Sequence, residues 1–279
     1  MTATLAEAAC AVLRAPLPED KIALTRRFAA AFRAGEILPG GDAMPPDRPA
    51  RPTLPELKAP RDMKRRRGAG SEAGRIALLH ALAHIELNAI DLAWDMLARF
   101  GTPDLPRDFH HDWLSVAAEE AEHHALLAAR LGVLGASYGD LPAHDGLWEA
   151  AQATASDLLA RLAIVPLVLE ARGLDVTPAM IERLQRAGDD ASAGVLQVIY
   201  DEEIGHVATG MRWFRWECAC RAVVPEATYR ALVRQHFKGA LKPPFNASAR
   251  TAAGFTPEFY EGLADSEFVV IASAAKQSP

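Results

Sequence analysis

The sequence is poor in cysteine, in aromatic residues and in the β-branched residues that favour strands. Only three cysteines occur among 279 residues, and none forms a CxxC pair, so neither a zinc ribbon nor a rubredoxin-type iron centre is encoded. Aromatic residues make up 7% of the chain, whereas Ala and Leu dominate its apolar half. Because Ala and Leu are strong helix formers, this composition predicts an all-α protein.

Long apolar runs and an excess of positive charge are also lacking. No uninterrupted apolar run approaches the roughly 18 residues of a membrane span, so we expect no membrane association and a cytoplasmic location. The net charge of -6 argues against a protein that coats nucleic acid. Three basic residues, Arg61, Arg65 and Arg67, leave two interpretations open: contacts to an anionic substrate, or a solvated loop that pairs with acidic residues.

Glycine and proline divide the chain into three predicted segments. Residues 1–70 form N-terminal helices and a strap rich in proline and arginine, 71–222 a helical bundle, and 223–279 a helix and extension packed on it. We expect long helices at about 72–100, 110–132, 146–172 and 189–221, with a short helix starting at Thr177-Pro178. Four long helices predict a four-helix bundle.

Two ExxH sequences carry the strongest chemical signal, namely Glu120 to His123 and Glu203 to His206. Residues three apart lie on one face of a helix, so each pair can present a carboxylate and an imidazole to one ion. Carboxylate oxygens with one imidazole nitrogen suit iron or manganese. One such pair could arise by chance in a chain of this length, whereas two are suggestive.

An additional glutamate lies upstream of each pair, as carboxylate-bridged bundles require. Glu86 precedes Glu120 by 34 residues, and Glu170 precedes Glu203 by 33 residues, so the chain resembles two copies of one helical hairpin. Both glutamates lie among apolar residues, where a carboxylate without a partner is costly. The sequence therefore predicts a dinuclear metal site; the alternative is two chance pairs and two glutamates bonded to core polar groups.

Other polar residues near these pairs allow more than one interpretation. Glu119 and Glu202 each lie four residues before a histidine and could either accept a hydrogen bond from its imidazole or face solvent. Pro166, one turn before Glu170, removes a backbone donor and predicts a kink. His80 and His84 predict either interhelical hydrogen bonds or a second metal site. The sequence also predicts three surface histidines: His110, His111 and His124.

Five stretches together resemble the ferritin-like superfamily, and more closely a bacterial ferritin-like family of unknown function related to a tRNA hydroxylase that acts on 2-methylthio-isopentenyl adenosine. These stretches are GSEAGRIALLHALAHIELNAIDLAWD, EEAEHH, LEARGLDVTP, DEEIGHV and PFNASARTAAGF. The resemblance covers about residues 40–260, and all six expected ligand positions match. It implies a ferritin-like four-helix bundle with a di-iron carboxylate centre, manganese being the alternative metal, and it supports oxygen chemistry.

Three functions follow as expectations from these residues and this resemblance. The first is an O2-activating mono-oxygenase or hydroxylase that acts on a small molecule or tRNA and receives electrons from an external donor. The second is a ferroxidase or peroxide scavenger without an organic substrate. The third is a metal-stabilised binding scaffold without turnover. A homodimer is compatible with each of these functions.

Overall fold

The computed structural model of the chain describes residues 4–58, 62–63, 70–237 and 240–264. Within these ranges the regular secondary structure is helical without a β-strand, which confirms the predicted all-α class; isolated bridges join Thr4 to Leu38 and Leu57 to Ala143. The elements are α1 (Leu5–Arg14), α2 (Pro18–Arg33), α3 (Glu72–Phe100), α4 (Arg107–Val133), α5 (Gly146–Ala153), α6 (Leu158–Ile164), a π-helical turn (Val165–Glu170, hereafter the π-turn), α7 (Ala171–Arg186), α8 (Asp190–Cys220), α9 (Pro225–His236), α10 (Ala247–Ala252) and α11 (Pro257–Tyr260).

The described residues belong to two compact units. Unit 1 contains the described residues up to Gln152 together with Ala179–Ile199, and unit 2 contains Ala153–Pro178 together with the described residues from Tyr200 onward. The division into three segments that the sequence suggests remains a prediction.

Helix α3 is the central helix of unit 1. Its first turn is capped by the Ser71 hydroxyl, which accepts a hydrogen bond from the Gly74 amide at 3.1 Å, and it ends at Gly101. It packs along α4 and also contacts α1, while α2 packs on α4. An 18-residue window of α3 is apolar enough on average to cross a membrane, but 67% of that window is buried within the protein. This burial is the pattern of a core helix.

Charged side chains are buried in unit 1 where α2 and the strap meet α3. The Lys21 ammonium lies 2.7 Å from a carboxylate oxygen of Asp91, and both side chains are fully buried. Arg51 pairs with the second oxygen of Asp91 and donates to the Asn88 amide oxygen at 2.7 Å. Because buried charges are costly unless paired, this cluster fixes the strap against α3 through named partners.

The prediction of surface histidines is wrong for two of the three residues. His110 and His124 are buried, and the Nδ1 atom of His124 lies 2.8 Å from the carbonyl oxygen of Ala83 on α3. The helix α4 carries both residues on faces that pack against α2 and α3, and an imidazole bonded to a backbone carbonyl tolerates such burial. His111 is half-buried and packs edge-on against the ring of Phe32.

The region from 146 to 187 differs most from its prediction. The predicted long helix is divided into α5, α6 and the π-turn, and α7 continues through Gly173 and Pro178. Pro178 has no amide hydrogen to offer the carbonyl of Leu174, but the Asn246 side-chain amide donates to that carbonyl at 3.1 Å. A partner 72 residues distant thus allows α7 to contain a proline that would otherwise end it.

The C-terminal segment of unit 2 is held on α7 by an arginine. Arg250 binds Asp175 through two hydrogen bonds, of 2.8 and 2.7 Å. Its guanidinium also lies 4.6 to 5.1 Å from the ring centroids of three aromatic residues, Phe245, Phe255 and Tyr260. This bidentate pair surrounded by rings fixes α10 and the residues around it against α7.

Candidate metal centre

Three residues of unit 1, Glu86, Glu120 and His123, form a buried cluster that we call the first half-site. Glu86 is 4% exposed on α3, and both residues from α4 are fully buried. The Nδ1 atom of His123 lies 3.5 Å from a carboxylate oxygen of Glu86 and 3.5 Å from one of Glu120. Because α3 packs along α4, the tertiary structure brings the distant Glu86 to the ExxH pair.

The separations within the first half-site suit ligands of one ion. Each residue offers a ligand atom, and these atoms lie within 4.8 Å of one another. Two atoms bound to one ion at about 2.1 Å are separated by about 3 to 3.5 Å in octahedral or tetrahedral geometry. The 3.5 Å distances are longer than ordinary hydrogen bonds and match this range. The cluster could therefore hold a metal ion.

The electrostatics of the first half-site favour positive charge. Burial is the largest influence on the pKa of His123 and lowers it, but the neighbouring carboxylates of Glu120 and Glu86 together outweigh burial and raise the pKa to about 11. Two buried carboxylates on one imidazole thus stabilise a cation at this position, whether it is a proton or a metal ion.

Unit 2 carries the second set of predicted ligands, Glu170, Glu203 and His206, which we call the second half-site. On α8, Glu203 is 9% exposed and His206 is buried, and their carboxylate oxygen and Nδ1 atoms lie 3.6 Å apart. This separation is close to that of the Glu120–His123 pair in unit 1. Glu170 is half-buried and is the last residue of the π-turn.

The π-turn that ends at Glu170 is held by two residues that sequence analysis missed. An α-carbon substituent on Gly210 would lie 2.5 Å from the Cβ atom of Pro166, so only glycine lets α8 approach this closely. The Tyr229 hydroxyl, fully buried on α9, donates to the carbonyl of Leu167 at 3.1 Å. The predicted kink at Pro166 is therefore a wider helical turn, in which the Ala171 amide bonds to the Pro166 carbonyl.

The other predicted site residues have different surroundings. Glu119 is half-buried and Glu202 is exposed, and their hydrogen bonding to the histidines stays a prediction. Arg61, Arg65 and Arg67 lie outside the described residues.

His80 and His84 hold a loop of unit 1. The Nε2 atom of His80 accepts hydrogen bonds from the Gly139 and Leu141 amides at 2.9 and 3.3 Å. The ring of His84 lies between the Tyr138 hydroxyl, 2.8 Å from Nδ1, and the His144 carbonyl, 3.1 Å from Nε2. Of the two interpretations of these histidines, the described contacts correspond to hydrogen bonding.

The helical architecture and the buried Glu/His cluster define an all-α protein with a candidate metal site. The chain belongs to the family described as "Protein of unknown function (DUF455)", which matches residues 14–261. A relative from Haemophilus influenzae, described as an uncharacterized protein, is 43% identical over 210 residues, which cover 74% of this chain and 73% of the relative. No solved structure matches the chain.

Proposed function

We propose that the two half-sites together bind two iron ions in a ferritin-like four-helix bundle, and that the protein is an O2-activating oxidoreductase of the mono-oxygenase type. The observation that carries this proposal is the buried first half-site, in which one imidazole nitrogen lies 3.5 Å from each of two carboxylates. The 3.6 Å Glu203–His206 pair in the other unit supports a second ion of similar coordination. Manganese is the alternative metal, because it prefers the same ligands.

The roles of the chain's own residues follow from their positions. Glu120 and Glu203 would bridge the ions, His123 and His206 would each bind one ion, and Glu86 and Glu170 would complete the coordination as terminal or bridging ligands. When bound, the metal pair would supply the reducing electrons for O2. Except for the half-buried Glu170, the proposed carboxylate ligands are buried, which limits the access of water to them. Glu119 and Glu202 are proposed to orient the imidazoles.

The substrate and the cellular context of the hydroxylase are also proposals. An organic small molecule or modified tRNA is the proposed substrate, in keeping with the sequence resemblance to the tRNA hydroxylase, and a cytoplasmic donor would supply electrons. The alternative function is a ferroxidase or peroxide scavenger, which needs no cavity for an organic substrate beside the metals. One cavity of unit 1, beside α3 and lined in part by the strap residues Lys58 and Met63, has none of the three residues of the first half-site in its lining.

Oxygen uptake by anaerobically purified, iron-loaded protein tests the proposal. We expect about two ions per chain, and O2 consumption that increases when a cell extract of small molecules or tRNA is added. Uptake that saturates with Fe2+ or H2O2 alone would favour the scavenger, and bound metal without uptake would favour the scaffold. Binding of a single zinc ion at His80 and His84 would contradict the assignment of the site.

Two neighbouring glutamates of α4 provide the matched variants for this test. Glu120→Ala should abolish metal-dependent O2 uptake, because it removes a carboxylate bound to the ion, while the helical circular dichroism is retained. Glu122→Ala should leave uptake unchanged, because Glu122 lies on the exposed face and pairs with Arg26 instead. Equal uptake by both variants and the wild type would show that the assigned ligands are wrong.

A further inference from the structure

A cavity of about 530 Å³ lies in unit 1, outside the first half-site. One wall is the N-terminal half of α3, a second is the segment from Leu141 to Leu147, and the strap residues Lys58, Asp62 and Met63 also line the cavity. Cavities that bind small molecules have volumes of about 300 to 1,000 Å³. The volume of this cavity is therefore sufficient for a small-molecule ligand.

The wall formed by α3 carries small side chains, which leave space for the cavity. Ala73, Ala77 and Ala81 follow one another at intervals of four residues, so they lie on one face of the helix and leave the space in front of it open. The core face of the same helix carries Leu79, Ile90 and Trp94, all completely buried. The cavity thus arises from the choice of side chain on one face of α3.

The opposite wall is fixed in place by hydrogen bonds to α3. His80 accepts from one amide of this wall, that of Leu141, and from one just before it. His84 is bonded to the His144 carbonyl of the wall and to the Tyr138 hydroxyl, as described above. The rings of His80 and Tyr138 also stack, with their centroids 5.3 Å apart. A cavity whose walls are already ordered loses little conformational freedom when it binds a ligand.

The lining is mostly apolar. Its apolar side chains include Ile85, Leu147 and the alanines of α3, with Leu141 facing them. The lining also contains one cationic and one anionic side chain, Lys58 and Asp62. Because these two charges oppose each other, the lining offers no net charge to a charged ligand.

We propose that this cavity is a binding site for a neutral, largely apolar small molecule, separate from the metal site. The lining contains His84 and Ile85 but not Glu86, because successive residues of a helix point about 100° apart and Glu86 lies on the face toward α4. The molecule would bind through contact with the alanine face of α3 and displacement of water from the apolar walls.

Two fluorescent dyes that differ by one sulfonate test the proposal on the full-length, metal-loaded protein. The neutral dye N-phenyl-1-naphthylamine should bind saturably at one site per chain. The anionic dye 1-anilinonaphthalene-8-sulfonate should bind at least tenfold more weakly, because the mostly apolar lining offers no net positive charge to its sulfonate. Equal affinity for both dyes would overturn the neutral ligand class, and the absence of saturable binding of the neutral dye would overturn the site.

Filling the cavity locates the bound dye. Ala81→Phe places a ring in the cavity and should weaken binding of the neutral dye at least tenfold while the metal content remains unchanged. Ala129→Phe, on the exposed face of α4, is the control and should bind the dye as the wild type does. If Ala81→Phe does not fold, Leu147→Trp fills the cavity from the other wall. Unchanged affinity in a folded cavity variant would overturn the proposal.

Discussion

At the scale of single residues, burial decides how much an ion pair stabilises this protein. Helix α2 provides a comparison, because Lys21 pairs with Asp91 and Arg26 pairs with Glu122 at the same distance of 2.7 Å. The first pair is fully buried, whereas both side chains of the second are about half exposed. Breaking a buried pair leaves a charge in a poorly solvated position, and breaking an exposed pair does not.

We therefore expect Lys21→Met to lower the free energy of unfolding by about 3 kcal/mol, with Arg51 still partly compensating Asp91. Arg26→Met should lower it by less than about 1 kcal/mol. Urea titrations of both variants measure the difference. Similar losses in the two variants would show that burial is not the deciding factor.

The buried His84 makes stability depend on pH. Its pKa is about 4 in the folded protein, against an ordinary value of 6.5. Between these two values the unfolded chain binds a proton that the folded protein does not, so the free energy of unfolding decreases as the pH falls from 6.5 toward 4. The expected contribution of this residue is roughly 3 kcal/mol.

Urea titrations between pH 7 and pH 4.5 check this expectation. The loss of stability should be smaller in His84→Gln than in the wild type, because the substituted side chain does not titrate. A variant that loses as much stability as the wild type over this range would contradict the assignment to His84.

Spacing along the sequence predicted the candidate ligands, but it did not reveal what lies around them. The three-residue spacing of Glu120 and His123 and the apolar stripe around Glu86 are local patterns, and the structure brings these residues together. Their role as ligands remains a prediction. The burial of His124 could not be predicted in this way, because it depends on a carbonyl of another helix, that of Ala83.

At the scale of secondary-structure elements, the π-turn is sensitive to substitution of the residue that packs against it. Gly210 of α8 packs on Pro166 with no space for a methyl group. We expect Gly210→Ala to lower the free energy of unfolding by about 1 to 3 kcal/mol and to displace Glu170, because either α8 or the π-turn has to move. Chemical unfolding and metal stoichiometry measure the two effects.

The matched control is another glycine of α8, five residues earlier in the sequence. A methyl group on Gly205 would meet no atom within 4 Å, so Gly205→Ala should be neutral or stabilise the helix by up to about 1 kcal/mol. Destabilisation of both variants to the same extent would show that general helix effects, rather than contact with Pro166, determine the result.

Helix ends were predictable where the end is encoded locally. Helix α3 begins after Ser71 and ends before Gly101, as expected. Asp189 caps α8 by accepting a hydrogen bond from the Ser192 amide at 3.0 Å. Prediction failed at Pro178, since local rules make a proline the start of a helix. The Asn246 amide that replaces the missing donor lies far along the chain, so no local pattern announces it.

At the scale of the whole molecule, the two half-sites divide the proposed ligands between two units. The proposed bridging roles of Glu120 and Glu203 require that the ions depend on both half-sites at once. Replacing either bridging glutamate should then weaken the binding of both ions. If the two sites were mononuclear and independent, each substitution would remove only the ion bound at its own site.

Calorimetric titration with Mn2+ separates these cases without any oxygen chemistry. We expect about two ions per wild-type chain, and fewer than one ion per chain in both Glu120→Ala and Glu203→Ala. Glu122→Ala should match the wild type. The loss of one ion alone in each variant would replace the dinuclear centre with two separate sites. Thermal unfolding gives a parallel measurement. A free-ion concentration of 100 times the dissociation constant adds about 2.7 kcal/mol to the free energy of unfolding.

The π-turn also bears on how this chain can change its length through evolution. One residue inserted into an α-helix rotates the following residues by about 100° and turns an apolar face away from its core. A π-helical turn accommodates such an extra residue within itself, so the helices on both sides keep the same faces toward the core. Insertions and deletions of one residue in related sequences should therefore collect between Val165 and Glu170, and should be rare within α3.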